Sequence, residues 1–229
     1  MDDQERAMYL GWAKTQQFKN KVNESIGIIE EALTLGDSYV SISWGKDSIA
    51  LLHLCQSVFP EILAINFSTP HEDMLGSFTQ TANAYCSKFS TNLNLIKIEE
   101  QTVIPKAVKD ASLWETYPVA FVGLRAEESK GRRKSLTCHG LLYQYKAKGY
   151  RVCPIGFWKA IDIWAYLAHH DIPYLSNYDI EGNRQNVRTT NVMPFRGGLS
   201  QSLGRIENIK RYNKDAYNYL REKTPWLLT

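Results

Sequence analysis

Six consecutive residues, Ser43-Trp44-Gly45-Lys46-Asp47-Ser48, combine two hydroxyls, a glycine, an ammonium and a carboxylate. An apolar run ends in Ile42 before them, and Ile49-Ala50-Leu51-Leu52 follows at once. That order reads as a buried strand, a tight polar turn and a helix that starts in the turn. Backbone N–H groups at a helix start point outward, and the aligned peptide dipoles add about half a positive charge there. Phosphate is the ligand such a turn suits. Gly45 lets the backbone approach closely, Lys46 supplies a point charge, and Ser43 and Ser48 offer hydroxyls. Asp47 is suited to cap the helix or to hold Mg²⁺ through water. The spacing is not that of GxxxxGK[ST], because Asp47 follows the lysine.

The surrounding elements must place that turn. Val22, Ile26, Ile29 and Leu33, spaced four, three and four, predict an amphipathic helix stopping near Gly36. A strand follows around Tyr39–Ser43, then a helix from about Asp47 to Val58. Ile62–Phe67 reads as a second strand, and Leu75, Phe78, Ala82, Tyr85 and Phe89 as the next helical face. Leu93–Ile98 is a third strand, residues 103–111 a shorter helix, and Val119–Leu124 a fourth strand. Strand and helix in alternation argue for an α/β fold with a parallel sheet covered on both faces. Leu141–Tyr145 and Tyr150–Cys153 read as a hairpin or strand pair. Ile161, Trp164, Ala165 and Ala168 mark another helix, residues 176–204 a long loop, and Ile206 to Leu220 a final helix.

A second constellation lies after the fourth strand, Gly123-Leu124-Arg125-Ala126-Glu127-Glu128-Ser129-Lys130-Gly131-Arg132-Arg133. Ligands of open α/β sheets bind outside the carboxyl ends of the strands. Arg125, with Arg132 or Arg133, is therefore expected to face the first turn, and arginine forks onto phosphate or sulfate.

Ser43–Ser48 is similar to the SGGxDS pyrophosphate loop of the ATP pyrophosphatase (PP-loop) superfamily, departing only at Trp44, where glycine is usual. Tryptophan at positive φ is unfavourable, so Trp44 is expected at negative φ, its ring covering the ligand or packing inward. Gly123, Arg125, Glu128, Ser129 and Arg132 meet a G-x-R-x-x-E-S-x-x-R pattern that resembles the phosphoadenosine phosphosulfate (PAPS) reductase family. So do Cys153-Pro154-Ile155 with Trp158, Asp162, Ile163, Trp164, Tyr166 and Leu167, and then Ile172-Pro173-Tyr174. The resemblance implies a doubly wound, mostly parallel five-stranded sheet of the adenine nucleotide alpha-hydrolase type, here with a basic C-terminal loop-helix extension. It also implies that residues after the second strand, Asn66, Phe67, Ser68 and Thr69 with Glu72 nearby, lie over adenine. Reductases of the family use a cysteine in a C-terminal Glu-Cys-Gly-[Ile/Leu]-His segment, and this sequence ends in Leu220–Thr229 without one. In that respect it resembles the ATP pyrophosphatase components of DNA sulfur-modification systems.

Composition bounds the rest. The chain has 229 residues, 44% hydrophobic and 22% charged, as a globular domain should. No apolar run approaches the roughly 20 residues a bilayer span needs, and the acidic start is neither a signal nor a transit peptide. Cys55, Cys86, Cys138 and Cys153 form no CxxC pair, so a reducing cytoplasm fits and a local zinc or iron–sulfur site does not. Cys55 is expected in the core. Cys138-His139 stands in a basic stretch, read either as an incidental pair or as an internal thiol open to chemistry. His169-His170 read as helix-end histidines, with metal binding the lesser alternative. From Arg184 on there are nine Lys/Arg against three Asp/Glu, +6, so the remainder of the +3 chain carries −3. That tail, with its tyrosines, suits nucleic acid, a phosphate lid or a plain surface helix.

The expected organisation is an N-terminal helical segment over 1–36, a nucleotide-binding domain over 37–180 and a basic loop and helix over 181–229. The expected activity is cleavage of ATP between the α and β phosphates, with ATP and Mg²⁺ as cofactors. Lys46, Asp47, Arg125 and Arg132 are the expected catalytic residues. Ser43, Trp44, Gly45, Ser48, Asn66, Ser68, Gly123, Glu128 and Ser129 are expected to bind nucleotide with them, and Asp47 to hold Mg²⁺. An adenine nucleotide is the expected partner; a nucleic acid, a sulfur carrier or cysteine desulfurase, and a homodimer are further candidates, and no membrane is expected. The alternatives are a PAPS reductase using an internal thiol and a nucleotide-binding subunit without turnover.

Overall fold

The computed structural model describes residues 1–68, 77–97, 112–145 and 149–179 and, near the C-terminus, 207, 210, 211 and 214–223. The chain opens with α1 (Asp3–Ala13) and α2 (Gln16–Leu33), then β1 (Ser38–Ile42), α3 (Lys46–Val58), β2 (Leu63–Ser68) and α4 (Ser77–Phe89). Next come β3 (Leu93–Lys97), α5 (Leu113–Thr116), β4 (Val119–Val122) and α6 (Lys130–His139). The hairpin strands β5 (Leu142–Gln144) and β6 (Tyr150–Val152), α7 (Ala160–His169) and α8 (Lys214–Lys223) complete it.

The strand order is β3-β2-β1-β4-β6-β5, parallel throughout except for β5. This is the predicted α/β sheet, with six strands rather than five. Both halves of the expected hairpin join it. The Tyr150 N–H donates to Pro118 O at 2.7 Å and lays β6 along β4, leaving β5 as a short antiparallel edge. Period two divides the strand residues between two faces. Val40, Ile42, Ala64, Val119, Phe121 and Val152 bury against the helices of the larger core, whereas Tyr39, Ile65, Phe67 and Ala120 pack with Leu113 on the other side.

The N-terminal region holds two helices where apolar spacing predicted one. The start of α1 is set by a capping box, Asp2 accepting from the Glu5 N–H at 2.8 Å and Glu5 from the Asp2 N–H at 3.2 Å. Its buried face is only Tyr9 and Ala13, too sparse for a periodic signal. The second helix stops at Leu33, ahead of Gly36, which takes φ +139° where a Cβ would sit 2.9 Å from Pro118 Cγ. Strand β4 ends two residues before Leu124. The expected helix at 103–111, Thr69, Glu72 and nearly all of the loop to 204 lie outside the described residues.

Asp162, fully buried on α7, ties the N-terminal helices to the core. It accepts from Trp12 Nε1 at 2.8 Å, from Lys21 Nζ at 2.5 Å and from the Lys159 N–H at 2.7 Å. A buried carboxylate is tolerated where such partners neutralise and saturate it. No helix among the described residues is long and apolar enough to cross a membrane.

His169 and His170 lie at the end of α7, and no group of three metal-binding side chains occurs among the described residues. His170 packs against His53 with ring centroids 4.7 Å apart and tilted by 43°, and His53 Nδ1 meets Tyr166 Oη at 2.9 Å. Burial, then the neighbouring His170 and Lys88, depress His53 to about 4; burial and His169 depress His170. The unfolded chain therefore binds these protons first. Stability is full above about pH 6.5, the ordinary histidine value, and falls as pH drops from there towards 4. The urea midpoint should decline between pH 7 and 4.5, and His53→Gln should flatten that decline. An unchanged pH profile in His53→Gln would remove His53 as its source.

Candidate functional site

Strand order places the two motifs side by side. From β1 the chain winds outward through β2 and β3, then returns to set β4 on β1's other flank. The crevice between the carboxyl ends of β1 and β4 is thus the topological switch point, where open α/β sheets bind ligands. The loop after β1 carries Ser43–Ser48, and the loop after β4 carries Gly123–Arg132.

The first loop is stitched internally. The Ser43 N–H donates to Ser48 Oγ at 3.1 Å, the two hydroxyl oxygens are 3.3 Å apart, and Ser48 Oγ donates to Gly45 O at 3.0 Å. Gly45 is the N-cap of α3 and supplies no side-chain cap. Of the two roles open to Asp47, capping the helix is not taken, because its carboxylate is turned to other partners. Its Oδ2 takes Lys46 Nζ at 2.9 Å and its Oδ1 takes Arg125 Nε at 2.7 Å. Burial pushes this carboxyl up, but the two cations outweigh it and hold Asp47 below the usual carboxylate range. Lys46 and Arg125 are themselves buried, at 3% and 2% exposure.

The second loop holds Arg125 from behind. Its Nη1 donates to Glu127 Oε2 at 2.7 Å and to Trp158 O at 3.3 Å, while its N–H donates to Glu128 Oε2 at 3.0 Å. Burial works against the guanidinium charge, yet Asp47 and Glu127 prevail and raise its pKa. Glu127 also accepts the Ala160 N–H at 2.6 Å, joining Arg125 to the start of α7. Glu128 pairs with Arg132, and Ser129 Oγ caps α6 by accepting the Arg132 N–H at 3.1 Å. Arg133 is exposed on α6. Gly123 makes the junction between the loops: a Cβ there would lie 3.1 Å from Ser48 N and Cα, tighter than an ordinary contact.

Trp44 overturns its expectation. It takes φ +55°, left-handed, and not the negative φ predicted from steric cost. Its ring packs inward, 3% exposed, edge-on to Tyr85 at 6.1 Å, and so does not cover the crevice. Burying a ring this size is worth more than the roughly 1–2 kcal/mol of backbone strain. Asn66 and Ser68 sit at the end of β2, beside β1. The Asn66 side chain donates to Ile42 O at 2.9 Å, fixing the strand end from which the loop departs.

Glu127 and Tyr178 join this site without a sequence signal of their own. The former lies in a charge run, and the latter sits in the turn at Ser176–Asp179, 132 positions beyond Lys46. Tyr178 Oη accepts the Lys46 N–H at 3.2 Å, and Lys46 Nζ stands 5.5 Å over its ring. The cysteines stand apart: Cys55 and Cys153 are buried, Cys153 with its thiol pushed up to about 12, and only Cys138 is exposed. Cys138 is at the far end of α6, about 12 Å along the axis from its start. A separate cavity of about 460 Å³ opens beside Arg6, Lys88 and Tyr174, where Asp171 already pairs with both cations.

Sheet, switch-point crevice and loop together define an α/β protein with a mostly parallel sheet and a polar strand-to-helix turn at its switch point. A model of the phosphoadenosine phosphosulfate reductase domain matches residues 37–204, and the chain belongs to that family. It is 25% identical over 166 residues to a phosphoadenosine 5'-phosphosulfate reductase of Xanthomonas oryzae pv. oryzae, covering 60% of this chain and 64% of that protein. The chain thus spans less than two thirds of that relative. A sulfate adenylyltransferase subunit 2 of Shewanella frigidimarina is 24% identical over 232 residues, covering 80% of this chain and 76% of that protein. Among solved structures, Candida glabrata FMN adenylyltransferase in complex with FAD and inorganic pyrophosphate superposes with TM-score 0.56 at 17% identity, covering 76% of this chain and 68% of that one. That likeness is one of fold.

The conflict at Trp44 gives a stability test. Trp44→Gly and Trp44→Ala both lose the ring, at a cost of about 3–5 kcal/mol. Only glycine is unstrained at φ +55°. In urea denaturation Trp44→Ala should therefore be less stable than Trp44→Gly by about 1 kcal/mol; the opposite order would show that the left-handed turn does not survive without the ring.

Proposed function

We propose that the chain binds MgATP at the switch point and cleaves it between the α and β phosphates, passing AMP to an acceptor and releasing pyrophosphate. The observation that carries this reading is the Lys46–Asp47–Arg125 cluster at the start of α3, its two cations buried and its carboxylate partly so. The outward N–H groups of the helix start and the Lys46 ammonium would receive the β and γ phosphates. Arg125 and Arg132 would offset the charge that grows on the leaving oxygen as the acceptor attacks the α phosphorus. Adenylyl transfer asks the protein mainly for positioning and electrostatics. Asn66 and Ser68, at the neighbouring strand end, are proposed to border the adenine.

Mg²⁺ belongs here to the substrate. Both oxygens of Asp47 already accept from cations, an arrangement unsuited to holding a divalent ion directly. No step is therefore assigned to a protein-bound metal. The proposed acceptor is a nucleic acid or a protein sulfur carrier, activated for sulfur insertion. The excess of +6 from Arg184 onward supports a polyanionic partner.

Reduction of PAPS through an internal thiol is the second reading, favoured by the family and by the exposure of Cys138. The position of that thiol at the distal end of α6 weighs against it. Incubation with MgATP and, separately, with PAPS and reduced thioredoxin distinguishes the two. With water standing in for the acceptor, AMP and pyrophosphate from MgATP, falling about a hundredfold or more in Lys46→Ala, are the expected result. Sulfite from PAPS, lost in Cys138→Ser, would replace the proposal with the reductase. Nucleotide binding with neither product would leave a subunit without turnover.

A further inference from the structure

The start of α3 is occupied by another part of the same chain. The first N–H groups of a helix have no intrahelical acceptor, and Gly45 offers no side chain to serve them. Tyr178 supplies one acceptor from 132 positions away, its hydroxyl oxygen taking the Lys46 N–H at 3.2 Å. The same oxygen lies over the glycine, 3.6 Å from where a Cβ on Gly45 would stand. Lys46 Nζ is 5.5 Å from the ring centroid, so the tyrosine meets both the backbone donor and the cation.

The residue is held in this position. Its ring is 3% exposed and stands edge-on to Trp164, at 5.2 Å and 84°. Its own N–H donates to Leu175 O at 3.0 Å. The next residue, Asp179, accepts from the Tyr174 hydroxyl at 3.1 Å and pairs with the Met1 ammonium.

We infer that the Tyr178 hydroxyl is a placeholder for one phosphate oxygen of the ligand, so that phosphate and phenol compete for the Lys46 N–H. This rests on the nucleotide-binding reading of the loop. The phenol is neutral, and a phosphate oxygen makes a shorter, charge-assisted bond with the same donor and attracts the same ammonium. The anion therefore displaces the hydroxyl, and the turn at Ser176–Asp179 shifts away from Gly45 as it binds. Tyr178 is a positioning residue: it keeps the helix start satisfied while the crevice is empty and lowers the apparent affinity of the anion that replaces it.

Tyr178→Phe keeps the ring and its packing but removes the acceptor. Titration calorimetry with inorganic pyrophosphate should show Tyr178→Phe binding about threefold to tenfold more tightly than the unaltered chain, the gain expected when one neutral hydrogen bond no longer has to be broken. Without ligand, amide exchange at Lys46 should be faster in the variant. Weaker binding would overturn the inference by making the hydroxyl a ligand contact, and equal affinity would overturn it by removing the competition. Lys46→Ala keeps the two claims apart. If the unaltered chain binds pyrophosphate no better than Lys46→Ala, the nucleotide reading fails, while the exchange measurement still decides the Tyr178 bond: Lys46 exchange unaltered by Tyr178→Phe overturns it.

Discussion

The ion pair between Asp47 and Arg125 is the interaction on which the arrangement of this molecule depends. It crosses the gap between β1 and β4, where the winding of the sheet reverses and no covalent crossover bridges the loops. Arg125 is nearly removed from water and Asp47 largely so, at 3% and 14% side-chain exposure, so leaving either charge without the other is costly. Glu127 and Glu128 hold the arginine, Lys46 shares the aspartate, and Glu127 extends the chain of contacts to α7. Two loops distant in sequence thereby become one rigid wall of a crevice.

That wall takes its shape from the core as much as from its own bonds. Trp44 is pulled into the interior, and the backbone accepts a left-handed turn to allow it. Gly123 lets the opposite loop close against the backbone of Ser48 with no side chain between them. The Asn66 amide secures the strand end below. Each contact acts on backbone positions, and backbone N–H groups are what such a turn presents to a phosphate.

The parts of this design visible in the sequence are those written locally. The apolar strand before Ser43, the helix after Gly45 and the Arg125-to-Arg132 pattern each lie within a dozen residues, where period and spacing can be read. What escaped is set by distance. Nothing near Tyr178 marks it as the partner of Lys46, because that contact joins residues 132 positions apart and leaves no local spacing to read. The backbone at Trp44 departs from its steric preference because that preference is local while the burial that overrides it depends on Tyr85 of α4. The sixth strand was legible as half of a hairpin, but its place beside β4 is a tertiary fact. Glu128 and Ser129, expected at a nucleotide, turn their bonds to Arg125 and to the α6 cap, so the motif also shapes the loop that carries it.

The pairing of these side chains has an electrostatic consequence. Lys46, Arg125 and Arg132 are matched by Asp47, Glu127 and Glu128, so these six described side chains sum to no net charge. A polyanion would not be drawn in from afar by such a wall; it would have to exchange partners with the carboxylates at contact range. Long-range capture, and with it the ionic-strength dependence of the encounter rate, would then fall to the cationic sequence beyond Arg184. Attraction and recognition would reside in different parts of the chain.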